Sequence, residues 1–266
     1  MEIFDAGSTA ENYRRFLQPV IFQPWSERLL SFVGLELGQK VLDVASGTGV
    51  VARAAASRVG PTGRVIASDI SARMLHSVLV DADPSGASIE VLECSATDIP
   101  LDDGGMDVVL CQQGFPFIPD RAAAAQEMHR VLKPGGKVGV AVWAAGKQLE
   151  PFDAYAEAVR AEGIESAFGN IATNASVTMS EAEVEQALLS GGFTRVEVTT
   201  ERLDIRFATI ADEVRGIFGT PLGASVAAFE AERLDAFLKD LERRLAGPDG
   251  EPVPHSTFAV LGRGVA

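Results

Sequence analysis

Apolar positions along this chain keep two rhythms in turn. Short runs such as Val41–Val44, Val65–Ala67, Val108–Cys111 and Val138–Trp143 stand between turn-forming residues. They read as strands buried on both faces. Between them, Val50–Ala56 keeps helical spacing, and so does the stretch opened by Asp120, with Ala124, Met128, Val131 and Leu132 on one face. The strands predicted are Lys40–Val44, Arg64–Ser68, Ser88–Cys94, Met106–Cys111, Val138–Trp143, Arg195–Phe207 and Ser256–Gly262. Strand and helix alternating in this way predict an α/β fold, with a mostly parallel sheet and helices on both its faces.

Three stretches fall outside that alternation. Residues 1–38 read as helical, broken into short pieces by Pro19 and Pro24. Within them Trp25, Leu29, Phe32 and Val33 have the spacing of a helix docked on the sheet. Residues 144–190 hold a helix through Phe152, Tyr155, Val159 and Ile164, then a polar stretch from Gly169 to Asn174. A capping box follows at Ser180–Glu183 and opens a helix that ends at Gly191. Residues 208–247 carry a long amphipathic helix whose apolar face is Leu234, Phe237, Leu238, Leu241 and Leu245. That face reads as internal packing or as a homodimer seam.

The first strand runs into a turn of small residues, Ala45-Ser46-Gly47-Thr48-Gly49, and then a helix. Strand, small-residue turn and helix N-terminus together cradle nucleotides. Gly47 to Ala52 matches the dinucleotide fingerprint G-x-G-x-x-A, a weak signal alone. Asp43 argues against a dinucleotide, because a pyrophosphate at the strand end would meet a like charge. A sulfonium or ammonium would be attracted to the same carboxylate.

Val41–Gly49 resembles the first motif of class I S-adenosylmethionine-dependent methyltransferases, apolar-apolar-D-x-G-x-G-x-G, and departs from it in the small-residue variant Ala45-Ser46. Asp69-Ile70-Ser71-Ala72-Arg73-Met74-Leu75 resembles the second motif, D-x-S-x-x-M-L. Asp69 is then the ribose ligand, with Ile70 and Met74 against the adenine; a helix N-cap is the competing reading of Asp69. Ser95-Ala96-Thr97-Asp98-Ile99-Pro100-Leu101 is similar to D-A-x-x-L-P-F, with Ser95 in place of the adenine-binding acid and Ala96 and Thr97 beside the ring. Asp98 falls later in the pattern and reads as a solvated loop acid. Leu132-Lys133-Pro134-Gly135-Gly136 matches the family turn into strand five, a structural element.

The resemblance implies a Rossmann-like seven-stranded sheet of order 3-2-1-4-5-7-6, the last strand antiparallel, with helical lid insertions. It points to the ubiquinone/menaquinone-biosynthesis-like group of small-molecule methyltransferases. Residues 1–266 are then a single methyltransferase domain: 1–37 an N-terminal helical lid, 38–145 the cofactor-binding core, 146–180 and 208–247 substrate-cap insertions. The implied cofactor is S-adenosyl-L-methionine, held by Tyr13, Asp43, Ala45, Ser46, Gly47, Gly49, Asp69, Ile70, Met74, Ser95, Ala96, Thr97 and Gln112. Phe16, Phe22, Gln113, Phe117, Phe152 and Tyr155 are the candidate substrate residues, and their character predicts an apolar or aromatic acceptor.

Charge and cysteine content narrow the partners. The net charge is −14 and no basic run occurs, which disfavours a phosphate backbone as partner, as does the absence of an N/D-P-P-Y-type motif. No run of 18 apolar residues predicts a membrane span, and no signal peptide pattern opens the chain. Cys94 and Cys111 fall on non-neighbouring strands and read as free thiols of a cytoplasmic protein, with no metal site. Methyl transfer by in-line displacement needs a base only where the acceptor arrives protonated. His255, just before the last strand, is the weak candidate for it; His129 reads as a surface residue. Two rivals stay open: a protein of this fold that binds the cofactor yet catalyses a cyclisation, and a nucleotide-dependent dehydrogenase.

Overall fold

The computed structural model describes residues 11–80, 82–164, 174, 176–220, 223, 226 and 229–266. The chain divides into two compact units. A sheet unit comprises Trp25–Ala144, Ala175–Glu201 and Ala259–Ala266; a helical unit comprises Met1–Pro24, Ala145–Asn174 and Arg202–Phe258.

Among the described residues the strands are β1 (Lys40–Val44), β2 (Arg64–Asp69), β3 (Ser88–Glu93), β4 (Met106–Gln112), β5 (Leu132–Ala144), β6 (Thr178–Met179), β7 (Thr194–Ile205) and β8 (His255–Val265). They order as β3-β2-β1-β4-β5-β8-β7. With β7 and β8 counted as the sixth and seventh expected strands, this is the predicted order. β1 pairs parallel with β2 and β4, and β8 runs antiparallel to β5, with Ala259 opposite Trp143. β8 therefore lies inside the sheet, between β5 and β7. The central strands β1, β2 and β4 are buried almost throughout, as sequences apolar on both faces require.

Several boundaries differ from the sequence reading. β6 was not predicted: it pairs two residues with β5, too few to show a period. Pro19 and Pro24 do not break the first helical region. Pro19 sits inside α1 (Tyr13–Phe22), which is π-helical, and α2 (Gln23–Val33) follows directly. The Leu132–Gly136 segment lies within β5 as a bulge: Met106 pairs with Leu132 and Val108 with Lys137. Gly135 there has φ +82°. His255 is the first residue of β8 rather than its predecessor. Cys94 lies one residue beyond β3, while Cys111 is on β4.

The predicted helices are present as α3 (Val50–Val59), α5 (Arg121–Val131), α6 (Glu150–Ala161), α7 (Glu181–Ser190) and α9 (Ala231–Leu245). The helix expected after Asp69 is present as the one-turn α4 (Ala72–Leu75), and one more, α8 (Ile210–Phe218), was not foreseen as a separate element. Asp120 caps α5 by accepting the Ala123 N–H at 2.9 Å, and Ser180 and Glu183 form the expected capping box on α7. Helix α2 docks on the sheet at Gly139, where a Cβ would lie 2.2 Å from Val33 Cγ2. His129 is not free on the surface: its ring stands edge-on to Phe193, centroids 5.1 Å apart. The predicted polar stretch 169–174 lies outside the described residues except for Asn174. On α9, Phe237, Leu241 and Leu245 are buried, and Phe237 meets the Tyr155 ring within the helical unit. Leu234 and Leu238, on the same face, are half-buried.

Candidate functional site

The turn after β1 is held in an unusual backbone shape. Ala45, Gly47 and Gly49 all have positive φ: 54°, 56° and 83°. Gly49 also has no room for a side chain, since a Cβ would lie 2.8 Å from Val78 Cγ1. At Gly47 a Cβ would meet nothing within 4 Å, so the surface there is open for a ligand. Ala45 is the departure from the family motif, and its backbone keeps the conformation a glycine would adopt. Its methyl group is accommodated because residue 114 is glycine: a Cβ on Gly114 would stand 2.4 Å from the Ala45 Cβ. Arg53, on α3, braces the turn by donating to the carbonyls of Thr48 (2.7 Å) and Val78 (3.0 Å). Sequence pattern did not single out Arg53, because an arginine one turn into a helix usually faces solvent.

Two acids flank this turn. Asp69, the last residue of β2, accepts the Gly47 N–H on Oδ2 and the Ser71 N–H on Oδ1, both at 2.9 Å. Ser71 is the N-cap of α4, so Asp69 does not serve as the cap. Each carboxylate oxygen retains a lone pair in a fixed direction, as recognition of a diol requires. Asp43 is buried, and its Oδ2 accepts the Ser46 hydroxyl at 2.6 Å. Its Oδ1 is buried without a partner. Burial pushes the Asp43 carboxyl up to about 7, while the Ser46 hydrogen bond pulls it down and Asp69 adds a push upward. A cationic group brought to this orphaned oxygen supplies the missing partner, so the site fits a cationic ligand.

Beyond β2, Ile70 and Met74 are apolar yet 76% and 49% exposed. The Ser95 hydroxyl lies 2.8 Å from Thr97 Oγ1 and accepts the Thr97 N–H at 3.2 Å, leaving Ala96 half-buried between them. Asp98 is exposed, as a solvated loop acid should be. At the end of β4, Gln112 is buried and Gln113 has φ +57°. Gln113 Oε1 accepts the Trp143 N–H at 2.9 Å, which fixes the amide so that Nε2 points elsewhere; Nε2 is buried without a partner. Phe117 is 56% exposed. Strain and an unpaired donor at the carboxyl end of a parallel strand mark a ligand-binding position.

The remaining predicted residues belong to the helical unit. Tyr13 is half-buried against Phe22, ring centroids 5.3 Å apart; burial pushes its hydroxyl pKa up. Phe16 lies under the guanidinium groups of Arg15 and Arg215. Phe152 is buried, and Tyr155 is fully buried edge-on to Phe218 and Phe237. His255 is buried beside Glu213. Glu213 was missed in the sequence, where it reads as one of two ordinary acids in the first turn of a helix.

Comparison with known proteins agrees with the geometry. A family model described as a methyltransferase domain matches residues 41–136, the span of the turn, both acids and the β4 end. An uncharacterized protein of Mycobacterium tuberculosis (strain ATCC 25618 / H37Rv) is 30% identical over 230 residues, covering 85% of this chain and 79% of its own. The ubiquinone/menaquinone biosynthesis C-methyltransferase of Cupriavidus metallidurans is 39% identical over 132 residues, 48% of this chain and 53% of that protein. The chain belongs to the class I S-adenosylmethionine-dependent methyltransferases. The fold agrees with it: a S-adenosylmethionine-dependent methyltransferase from Aquifex aeolicus superposes with a TM-score of 0.54 at 21% identity, over 76% of this chain and 93% of the other.

The methyltransferase uses S-adenosylmethionine as cofactor, which supplies an electrophilic methyl group on a cationic sulfur. Asp69, Asp43 and the turn from Ala45 to Gly49 are the residues that fit it. They would bind and orient it. The cyclisation and dehydrogenase readings are set aside. Among the described residues no helix is long and apolar enough to cross a membrane.

Proposed function

We propose that this methyltransferase methylates a small apolar or aromatic metabolite by in-line displacement, with the thirteen cofactor residues predicted from the sequence forming the donor site. Gln113 is the observation that carries the acceptor half of this reading. Its carbonyl oxygen is committed to the Trp143 N–H, so its buried amide donor is available only to an oxygen on a ligand. The exposed Phe117 ring, four residues further along the chain, offers the apolar contact an aromatic acceptor needs. The name of the Cupriavidus relative, a ubiquinone/menaquinone biosynthesis C-methyltransferase, supports including quinone precursors in a test of acceptors.

The helical unit is read as the acceptor-selecting part of a single methyltransferase domain, with Phe16, Phe22, Phe152 and Tyr155 giving it its aromatic character. The acceptor is free metabolite rather than nucleic acid, in keeping with the net charge of −14, and the enzyme works in the cytoplasm. Transfer of labelled methyl from S-adenosylmethionine to a panel of naphthols, quinols and short alkylamines tests the reading. Preference for the aromatic compounds is expected, with Gln113→Leu raising KM for oxygen-bearing acceptors about tenfold. A profile dominated by small polar amines overturns it.

A further inference from the structure

In the sheet unit, the segment joining β3 to β4, residues 94–105, forms no strand of its own. It carries Ser95, Ala96 and Thr97, the three residues read as lying beside the adenine. Its first half is held by its own groups. The Ser95 carbonyl accepts the Asp98 N–H at 3.1 Å, and the Ser95 hydroxyl accepts the Thr97 N–H at 3.2 Å. Neither bond uses the N–H or the carbonyl of Ala96. Its second half is held by α5. Glu127 Oε2 accepts the Ile99 N–H at 2.9 Å. Arg130, one turn further along that helix, donates to the carbonyls of Ile99 and Leu101, both at 2.7 Å. It also donates to both oxygens of Glu127 and to Asp103, each at 2.7 Å.

Those bonds employ every N–H of the guanidinium. An ion pair one turn apart on a helix surface adds little to stability, so pairing alone does not account for the arrangement. Its distinctive feature is the backbone it reaches: the Ile99 N–H and the Ile99 and Leu101 carbonyls, in a loop with no ladder to satisfy them. Ser95 gives that anchoring a consequence. Where the family pattern has an acid, this chain has an uncharged hydroxyl, 2.8 Å from Thr97 Oγ1. Recognition of the base then falls to backbone N–H and carbonyl groups. A rotamer change cannot aim such groups; only the path of the chain does.

We propose that Glu127 and Arg130 set the base selectivity of the cofactor site, by fixing residues 99–101 and through them the Ala96–Thr97 backbone, so that it takes a 6-amino purine and rejects a 6-oxo purine. The inference rests on the assignment of Ser95, Ala96 and Thr97 to the adenine in the reading above. Adenine offers a donor at its 6-amino group and an acceptor at N1; hypoxanthine reverses the two. A fixed N–H and carbonyl that satisfy one base leave groups of the other unpaired. Glu127 and Arg130 are positioning residues, since they act on the base only through the loop.

Calorimetry with S-adenosylhomocysteine and its deaminated analogue, S-inosylhomocysteine, tests this. The unaltered chain is expected to prefer the adenine compound about 100-fold. Arg130→Ala and Glu127→Ala should each bring that ratio below about tenfold, chiefly by weakening the adenine compound. A merely structural role would weaken both ligands alike and leave the ratio where it was. Should the alanine variants not melt cooperatively, Arg130→Lys carries the test: it keeps the charge but not the planar fork, and should still lower the ratio about threefold. An unchanged ratio in variants that fold, or no preference in the unaltered chain, overturns the proposal. Amide exchange separates it from the reading beneath it. Slowed exchange at residues 95–97 with S-adenosylhomocysteine supports adenine at this loop, and with an unchanged ratio only the role of Glu127 and Arg130 falls. No slowing there removes the adenine assignment and the proposal with it.

Discussion

Asp69 ends strand β2 and Glu213 stands in the first turn of helix α8, one carboxylate in each unit, and their surroundings differ in kind. Asp69 is only part-buried, yet each of its oxygens accepts a backbone N–H. Glu213 has no exposure at all and no completed hydrogen bond. In the sheet unit the turn is specified by backbone shape, with Ala45, Gly47 and Gly49 at positive φ and an acid tying the loop. In the helical unit Glu213 and His255 meet side chain to side chain, 2.7 Å apart. A site shaped by backbone suits a cofactor shared by many enzymes; a site shaped by side chains can change its ligand by substitution.

The sharpest way to break this contrast is to fill the gap opposite Ala45. Gly114→Ala places a methyl 2.4 Å from the Ala45 Cβ, and a loss of about 3 kcal/mol in stability is expected, read from denaturant melts. Ala45→Gly removes the obstacle and should restore most of that loss in the double variant. Additive effects in the cycle would mean that the two residues do not share the space. Next in size is Asp69→Ala. It leaves two N–H groups unpaired and should cost about 2 kcal/mol in stability, together with a loss of S-adenosylhomocysteine affinity of about 100-fold by calorimetry.

The helical unit should respond in the opposite direction. Glu213→Leu combined with His255→Phe is expected to leave melting unchanged or raise stability by about 1 kcal/mol. Marked destabilisation would show that the pair is structural and erase the difference between the units. Asp43 gives a subtler test through pH. Its carboxyl is raised from 3.8 to about 7 in the folded chain, so the folded state holds a proton that the unfolded state has released. The stability this confers is present at about pH 4 and declines as pH rises to about 7. Asp43→Asn should flatten that decline. Because binding a cation favours ionised Asp43, S-adenosylmethionine should bind with proton release near pH 6, and affinity should rise through about pH 7; equal affinity at pH 6 and pH 8 contradicts this. The smallest effect is expected from Ser95→Asp, which adds charge at the adenine side and should tighten S-adenosylhomocysteine a few-fold.

Most of the sheet was legible because its central strands are buried on both faces and therefore written as apolar runs. The elements missed were those with little local signal. β6 is two residues long, and α8 follows a strand end with a cap but without a long period. Proline punctuation misled at Pro19, where a π-helical register accommodates the residue. Within the candidate site, Asp43, Asp69 and the glycine turn could be read because each acid stands near the end of its own strand, β1 or β2, next to a turn and a helix start.

By itself the sequence determined the central strands, the cofactor turn and the acid at the end of β2, since each depends on residues close together along the chain; the order of the strands came from the family resemblance. Tertiary structure alone decided that Ala45 needs Gly114, that Gln113 spends its carbonyl on Trp143, and that Glu213 meets His255. Those partners are separated by 69, 30 and 42 positions in the numbering. No local pattern encodes such a meeting, because it depends on how distant elements pack, and the packing is a property of the whole fold.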